Sequence, residues 1–409
     1  MDNVAKLGDV ELVNISEEQN AAAVRNIVAT GRTIEQLETP CLLLDQSCMM
    51  RNVTRLKRRL EALGVPLRPH LKTSKSVDVA KRIVDSVTGA ATVSTLREAE
   101  EFGSAGIGDL LYAVGITPNK LDRVAAIRAR GTNLSVIVDS LETAEAVAAK
   151  ASATRDRIPT LIEVDSDGHR AGIRADEVQR LVEVGRALHD GGAELRGILT
   201  HAGRSYECRT TAEIEAFAEK ERVAAVRSAN VLRDAGLPAP IVSIGSTPTA
   251  LFVKNLQGVT EVRAGTFTFF DLFMSGLGVC TLDDIALSVL TTVVSHQRET
   301  GRIVVDAGWM ALSRDRATAR QPVDQGYGLV CDVLGRPYKD LLVIETNQEQ
   351  GILAIRAGSS ATLPELPVGS LIRILPNHAC ATSSQHRQYN VIETDSDQVL
   401  DRWPIFRGW

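Results

Sequence analysis

From Gly64 onward the chain keeps a regular beat of apolar and polar positions. Short apolar runs fall at 65–72, 90–94, 109–114, 134–139, 160–165, 194–201, 240–245 and 259–263. Between them lie stretches whose apolar residues recur at helical spacing, at 96–106, 120–130, 141–151, 176–189 and 212–236. Strands alternating with helices in this way predict a parallel sheet, and eight units predict closure into a TIM-like (β/α)8 barrel. An open doubly wound sheet is the competing arrangement. Ahead of the series, Pro40-Cys41-Leu42-Leu43-Leu44-Asp45 reads as one more short strand and 49–63 as a basic helix. Residues 1–38 form a polar, Ala-rich arm with a helical pattern over 18–28. After about Asp283 the beat changes: strand-like segments at 286–296, 302–306, 329–334, 341–345, 371–376 and 389–392 predict an antiparallel β domain. The expected organisation is therefore an arm (1–38), a barrel (39–283) and a β domain (284–409).

Composition leaves that picture standing and narrows the function classes. A chain of 409 residues suits a barrel plus a smaller module. Hydrophobic content of 44% and charged content of 24% are those of an ordinary soluble globular protein. A net charge of −5 and a pI near 5.9 give no basic footprint for nucleic acid. No apolar run has the length of a membrane span, and Met1-Asp2-Asn3-Val4-Ala5-Lys6 lacks the apolar core of a signal peptide, so neither membrane nor export is expected. The six cysteines (41, 48, 208, 280, 331, 380) are scattered without a CxxC pair, which predicts reduced thiols in a cytoplasm.

In such a barrel, chemistry gathers at the C-terminal strand ends, here Lys72, Ser94, Asp139, Asp165, His201, Gly245 and Arg263. Lys72 stands in Pro69-His70-Leu71-Lys72-Thr73-Ser74-Lys75, where an apolar run hands over to a helical pattern at 76–84. Lysine is a nucleophile only when neutral. Desolvation or a nearby cation moves it toward neutrality, and such a lysine can hold an aldehyde as a Schiff base. On these seven residues alone, Lys72 and Lys75 read equally well as surface cations at a helix start. Ile244-Gly245-Ser246-Thr247-Pro248-Thr249 is a small, hydroxyl-rich turn of the kind that suits a single phosphate, although an ordinary turn reads the same. It lacks the Lys-Ser/Thr pair of a Walker loop.

Two further strand ends carry polar clusters. Glu163-Val164-Asp165-Ser166-Asp167-Gly168-His169-Arg170-Ala171-Gly172 offers Arg170 to a ring nitrogen or a substrate carboxylate, or else closes a loop salt bridge. Thr200-His201-Ala202-Gly203-Arg204-Ser205-Tyr206 brings an imidazole and a phenol to the barrel mouth, with a satisfied core histidine as the alternative. In the β domain, His378 and Cys380 of Pro376-Asn377-His378-Ala379-Cys380 would share one face of a strand and could bind one metal. A soft and a borderline ligand favour zinc over magnesium or calcium, and two ligands leave coordination positions open for chemistry.

Together these residues resemble the fold type III pyridoxal-phosphate enzymes with an alanine racemase-like barrel, specifically the group of D-threonine aldolase and metal-dependent D-serine dehydratase. The matching stretches are Thr39-Pro40, Arg68-Pro69-His70-Leu71-Lys72-Thr73, Gly168-His169-Arg170-Ala171-Gly172 and Thr200-His201-Ala202-Gly203. They continue with Gly245-Ser246-Thr247-Pro248-Thr249, Glu261-Val262-Arg263-Ala264-Gly265, Val305-Asp306-Ala307-Gly308-Trp309 and Pro376-Asn377-His378-Ala379-Cys380, in the family's order. The resemblance implies a homodimer with its site near the subunit boundary, and Lys72 as the lysine that holds pyridoxal 5'-phosphate. It implies His70, Arg170 and Tyr206 around that cofactor and Gly245, Ser246 and Thr247 at its phosphate. His378 and Cys380 would hold a divalent metal, zinc first and manganese as another option. His-x-Cys is the dehydratase form of that pair, His-x-Asp the aldolase form. Two stretches depart from the family: Thr73-Ser74-Lys75 replaces Thr-His-Lys, and Gln348-Glu349-Gln350-Gly351 replaces Glu-Glu-His-Gly. The second puts substrate identity in doubt.

The implied reaction is loss of water from a D-3-hydroxy amino acid, most simply D-serine, giving a 2-oxo acid and ammonia. Lys72 would take the α-proton, the metal would assist the 3-hydroxyl, and His201 or Tyr206 would shape the opposite face. Retro-aldol cleavage to glycine and an aldehyde is the alternative on the same fold. A non-catalytic pyridoxal-phosphate carrier is a remote one, with no use for a metal pair.

Overall fold

The computed structural model describes residues 31–85, 89–168 and 170–409, so the helical pattern expected over 18–28 lies outside the described residues. Eight parallel strands run around a nearly closed barrel in the order Leu67–Pro69, Glu261–Ala264, Ile241–Ile244, Glu194–Thr200, Pro159–Asp165, Asn133–Val138, Asp109–Gly115 and Ala90–Val93. The two end strands meet through a single parallel bridge, His70 to Thr92. The crossover helices start where the sequence offers a cap. Thr95 accepts from Glu98 N–H ahead of Leu96–Ser104, Ser140 from Thr143 N–H ahead of Leu141–Thr154, and Thr210 from Glu213 N–H ahead of Thr211–Asp234. Their apolar faces join the outward strand residues in one continuous core.

Strand side chains alternate in direction, so every second residue points into the barrel. One half of that interior is apolar, a separate cluster of Leu111, Ile137, Leu161 and Leu199. The other half is ionic. Arg68 is bonded to Glu261 (2.8 Å) and Asp109 (2.9 Å), Ser243 donates to Glu261 (2.6 Å), and Arg263 donates to Ser243 (2.6 Å) and to the Thr200 carbonyl (2.6 Å). These partners matter because a buried charge without one is strongly destabilising.

The second unit is a ring of six antiparallel strands. Leu287–Gln297, Arg302–Val305, Gly351–Ile355, Pro337–Thr346, Leu329–Cys331 and Leu371–Leu375 follow in turn, and the last pairs back onto the first. Cys41–Asp45, expected within the barrel segment, belongs to this sheet instead. It lies antiparallel to Leu287–Gln297 and parallel to Gln388–Ile392, which makes the sheet mixed at that seam. Leu42, Leu43 and Leu44 are all fully buried, as a strand covered on both faces requires. Arg32–Thr33 pairs with Gln398–Val399. Gly351–Ile355 and Asp401–Pro404 had no counterpart among the expected strands; the latter, charged and ending on proline, sits at the sheet edge. Among the described residues no helix is long and apolar enough to cross a membrane.

Candidate active site

The C-terminal ends of the barrel strands and the facing rim of the second sheet line a cavity of about 920 Å³. It brings together His70, Lys72, Arg170, His201, Tyr206, Gly245, Ser246, Thr247, His378 and Cys380. Ser94 and Arg263 also line it, but Asp139 and Asp165 do not. Those two carboxylates fasten the loop after the strand instead, Asp139 through Gly172 N–H and Asp165 through Asp167 and Gly168 N–H.

Lys72 is not on the strand itself. The strand ends at Pro69, and the lysine sits on a single 3-10 turn, Leu71–Thr73, open to the cavity. Lys75, expected inside the following helix, precedes it at φ 44°, and its ammonium lies 3.3 Å from the fully buried Glu98 carboxylate. The two lysines therefore have different work. The second unit braces this turn at three points. Tyr389 O–H donates to Ser74 O (2.7 Å), Phe406 N–H donates to Lys75 O (3.0 Å), and Cys380 Sγ lies 3.2 Å from Thr73 Oγ1.

Both histidines on the barrel side are held neutral. Burial, with Lys72 and Arg263 nearby, keeps His70 well below its ordinary value, and its Nε2 lies 2.8 Å from Ser94 Oγ. Burial and then Arg170 push His201 down to about 3. His201 Nδ1 is 2.9 Å from the Gly245 carbonyl, which can only accept, so Nδ1 carries the proton and Nε2 is left as the acceptor. Burial pushes the Tyr206 phenol up, so it keeps its proton. Glu163, on the cavity floor, is pushed up to about 7 by burial against the pull of Arg170. Burial lowers Arg263 only to about 10, so it stays charged. Neutral rings among Lys72, Arg170 and Arg263 leave an electropositive hollow that suits an anionic, planar ligand.

The turn expected to bind phosphate departs from expectation in one respect. Gly245 has φ 131°, and a Cβ there would stand 2.2 Å from the Arg263 carbonyl, so the glycine answers the neighbouring strand. Ser246 Oγ caps Thr247–Phe252 through Thr249 N–H (3.2 Å) and meets Ser205 Oγ (2.9 Å), and Thr247 Oγ1 accepts from Phe267 N–H. The hydroxyls are thus engaged within the protein. What remains for an anion is the backbone at the starts of Thr247–Phe252 and Thr266–Thr268, both lining the cavity beside Tyr206. Behind this turn stands Glu221, a residue sequence reasoning missed. It accepts from Ala202 N–H, Gly245 N–H and Thr249 O–H, each at 2.9 Å, and so ties the His201 loop to the phosphate turn. Its signal was present: Glu221 falls on the buried stripe Ile214, Ala218, Ala225, Ser228, Leu232 of its helix.

His378 and Cys380 were expected on a strand, but Leu371–Leu375 stops before Pro376, and the pair opens a one-turn helix, Ala379–Ser383. Asp271 at the barrel rim sets that turn by accepting Ala379 N–H and Met274 N–H, each at 2.9 Å. His378 Nδ1 lies 2.6 Å from Asp315 Oδ2. Burial opposes a charge on His378, yet the bonds to Asp315 and Cys380 outweigh it and push it up to about 11. His378, Lys72 and Thr73 in turn hold Cys380 below the usual thiol value despite its burial. A thiolate beside a carboxylate-oriented imidazole is a donor set that a metal ion fits, taking the place of the proton between them. Among the described residues no three His, Cys, Asp or Glu side chains gather to hold a metal, so the protein would supply two ligands.

Comparison with known proteins agrees with this geometry. The alanine racemase N-terminal domain matches residues 44–272, and a putative serine dehydratase domain matches residues 286–392. The D-threo-3-hydroxyaspartate dehydratase of Delftia sp. (strain HT23) is 49% identical over 379 residues, covering 92% of this chain and 99% of that one. Its solved structure resembles the present one with a TM-score of 0.89, and a cysteine-to-alanine variant solved in a metal-free form gives 0.90. The D-serine dehydratase of Dictyostelium discoideum is 30% identical, covering 92% of this chain and 98% of that one. The D-threonine aldolase of Arthrobacter sp is 27% identical, with 92% and 94% covered.

Proposed function

The chain belongs to the fold type III pyridoxal-phosphate enzymes that join an alanine racemase N-terminal domain to a serine dehydratase domain, and from that membership we propose a lyase that eliminates water from D-3-hydroxy amino acids. One observation carries the choice of elimination: a thiolate–imidazole pair, rather than a carboxylate–imidazole pair, stands against the lysine turn, Cys380 to Thr73 at 3.2 Å. Pyridoxal phosphate, when bound, supplies an electron sink for charge developing at the substrate α-carbon. Lys72 would hold the cofactor aldehyde and, as a free amine, would serve as the base for the proton on the substrate α-carbon. Gly245, Ser246 and Thr247 would seat the phosphate, chiefly through the backbone. Arg170 would offer its charge to the cofactor's ring, and His70, fixed by Ser94, would line the same seat. His201, neutral and donating through Nδ1 to Gly245, presents an acceptor, while Tyr206 presents a hydroxyl that keeps its proton.

His378 and Cys380 would hold a divalent metal, with zinc favoured by the sulfur ligand, and it would supply Lewis acidity at the 3-hydroxyl. The Asp315 bond engages His378 Nδ1 and so leaves Nε2 as the nitrogen that would meet the metal. The family resemblance supports a homodimer, and the scattered free cysteines support a cytoplasmic enzyme. Product analysis tests the reading: D-serine or D-threo-3-hydroxyaspartate should yield ammonia and the matching 2-oxo acid. Glycine and acetaldehyde from D-threonine, without 2-oxo acid from any substrate, would assign the aldolase reaction instead.

A further inference from the structure

In a D-3-hydroxy amino acid the carbon that loses its hydroxyl also carries the group that tells substrates apart: hydrogen in serine, methyl in threonine, carboxylate in 3-hydroxyaspartate. If the hydroxyl goes to His378 and Cys380, that group lies one bond away, against the wall flanking His378. This wall is the segment that begins at Asp315, the partner of His378 Nδ1, and continues through the 3-10 turn Ala317–Arg320.

The backbone of that turn is fixed to the metal-ligand segment. Thr318 O–H donates to Asn377 Oδ1 (2.8 Å), Asn377 Nδ2 donates to Gly326 O (2.6 Å), and Gln321 Nε2 donates to Phe273 O (2.9 Å). Of the two cations on this wall, Arg316 is engaged, 2.6 Å from Asp324 and 5.1 Å from the Tyr327 ring. Arg320 lines the cavity and makes no side-chain hydrogen bond or ion pair among the described residues. An arginine fork without a partner, on a backbone held by Thr318 and Gln321, is built for a planar carboxylate.

We infer that Arg320 reads a second carboxylate at C3 of the substrate, making this chain selective for D-3-hydroxy dicarboxylic amino acids. The assignment rests on the elimination reading for its orientation, because it takes the hydroxyl to be at His378 and Cys380. Arg209 also lines the cavity without a side-chain partner among the described residues, but it follows the turn Gly203–Glu207 rather than the segment of Asp315, the partner of His378.

Ligands without a leaving group separate the two claims. D-aspartate and D-alanine differ by one carboxylate and have no 3-hydroxyl, so their binding to the cofactor-loaded enzyme can be measured by absorbance titration with no elimination. The parent should prefer D-aspartate, and Arg320→Ala should cut that preference about tenfold to hundredfold, the effect of a charge-assisted hydrogen bond, with Arg320→Lys recovering part of it. Arg316→Ala should keep the preference. An absent preference in the parent, an unchanged one in Arg320→Ala, or a loss in Arg209→Ala alone would overturn the assignment. Failure of the elimination reading looks different: no 2-oxo acid from D-threo-3-hydroxyaspartate or D-serine while the binding preference and its Arg320 dependence persist.

Discussion

Glu221 allows the phosphate turn to be perturbed from behind, without touching a residue that faces the cavity. Its Oε1 accepts two backbone N–H groups, from Ala202 and Gly245, and its Oε2 accepts the Thr249 hydroxyl. In Glu221→Leu both N–H groups lose their acceptor in a dry interior, at about 1–3 kcal/mol each. The Thr249 hydroxyl can turn to Ser246 O, already 3.4 Å away, so it adds little. The expected loss of stability is about 2–6 kcal/mol. Glu221→Gln keeps an oxygen for both N–H groups and presents its NH2 to Thr249 Oγ1, which can accept. Burial already pushes the Glu221 carboxyl up, so the folded state disfavours its charge, and removing it should leave stability within about 1 kcal/mol of the parent. Urea unfolding of the cofactor-free protein measures stability, and absorbance titration with pyridoxal phosphate measures the seat. Glu221→Leu should weaken cofactor binding at least tenfold and Glu221→Gln much less. Equal losses in the two variants, or parent-like cofactor binding in Glu221→Leu, would refute the role given to these three bonds.

Three other predictions address the cavity directly. Lys72→Ala should remove the absorbance of lysine-bound cofactor and the activity together. Lys75→Ala should keep the absorbance while losing about 3 kcal/mol of stability, because Glu98 is left buried and unpaired; absorbance that survives the first change and vanishes in the second would reverse the assignment. Chelation should abolish water elimination and spare the cofactor absorbance, and Cys380→Asp should weaken zinc and shift preference toward manganese, whereas full activity in a metal-free preparation rejects the mechanism. Because Glu163 is pushed from 4.5 up to about 7, the folded protein binds its proton more tightly than the unfolded chain, so stability falls as pH rises across that window. Glu163→Gln should flatten this, gaining about 3 kcal/mol at pH 8 and nothing at pH 4, and a slope unchanged in the variant would remove Glu163 as its source.

The barrel was legible because each of its strands buries a run of residues and each crossover helix repeats at its own period. Those signals are local. Nothing local reveals a partner far along the chain, which is why Cys41–Asp45 read as the first element of the barrel segment although its neighbours are Leu287–Gln297 and Gln388–Ile392. His378 and Cys380 were identified as a pair but placed on the wrong element, because the turn that presents them is set by Asp271, more than a hundred residues earlier. The hydroxyl of Ser246 looked free for an anion, yet it caps Thr249 N–H three residues on and also meets Ser205, a contact that only the tertiary fold supplies. Glu221 and Arg320 escaped notice for opposite reasons. A lone charge in an apolar stripe is easily taken for an imperfection of the pattern, and a lone arginine near a turn looks like solvated surface until a cavity forms around it.

The bracing of the Lys72 turn bears on how the enzyme comes to life on the ribosome. Tyr389 and Phe406 grip the backbone of Ser74 and Lys75, and Cys380 meets Thr73, so a turn made early is completed by residues translated much later, 307 positions on for Cys380 and 315 for Tyr389. A nascent chain can pair all eight barrel strands, the last of which ends at Ala264, while its lysine turn still lacks every one of these contacts. Competence therefore waits for residues 380–406 rather than arriving with the folding of the barrel. A stop between Ala264 and Cys380 would leave the barrel strands without any of the three contacts by which the second unit braces the lysine turn.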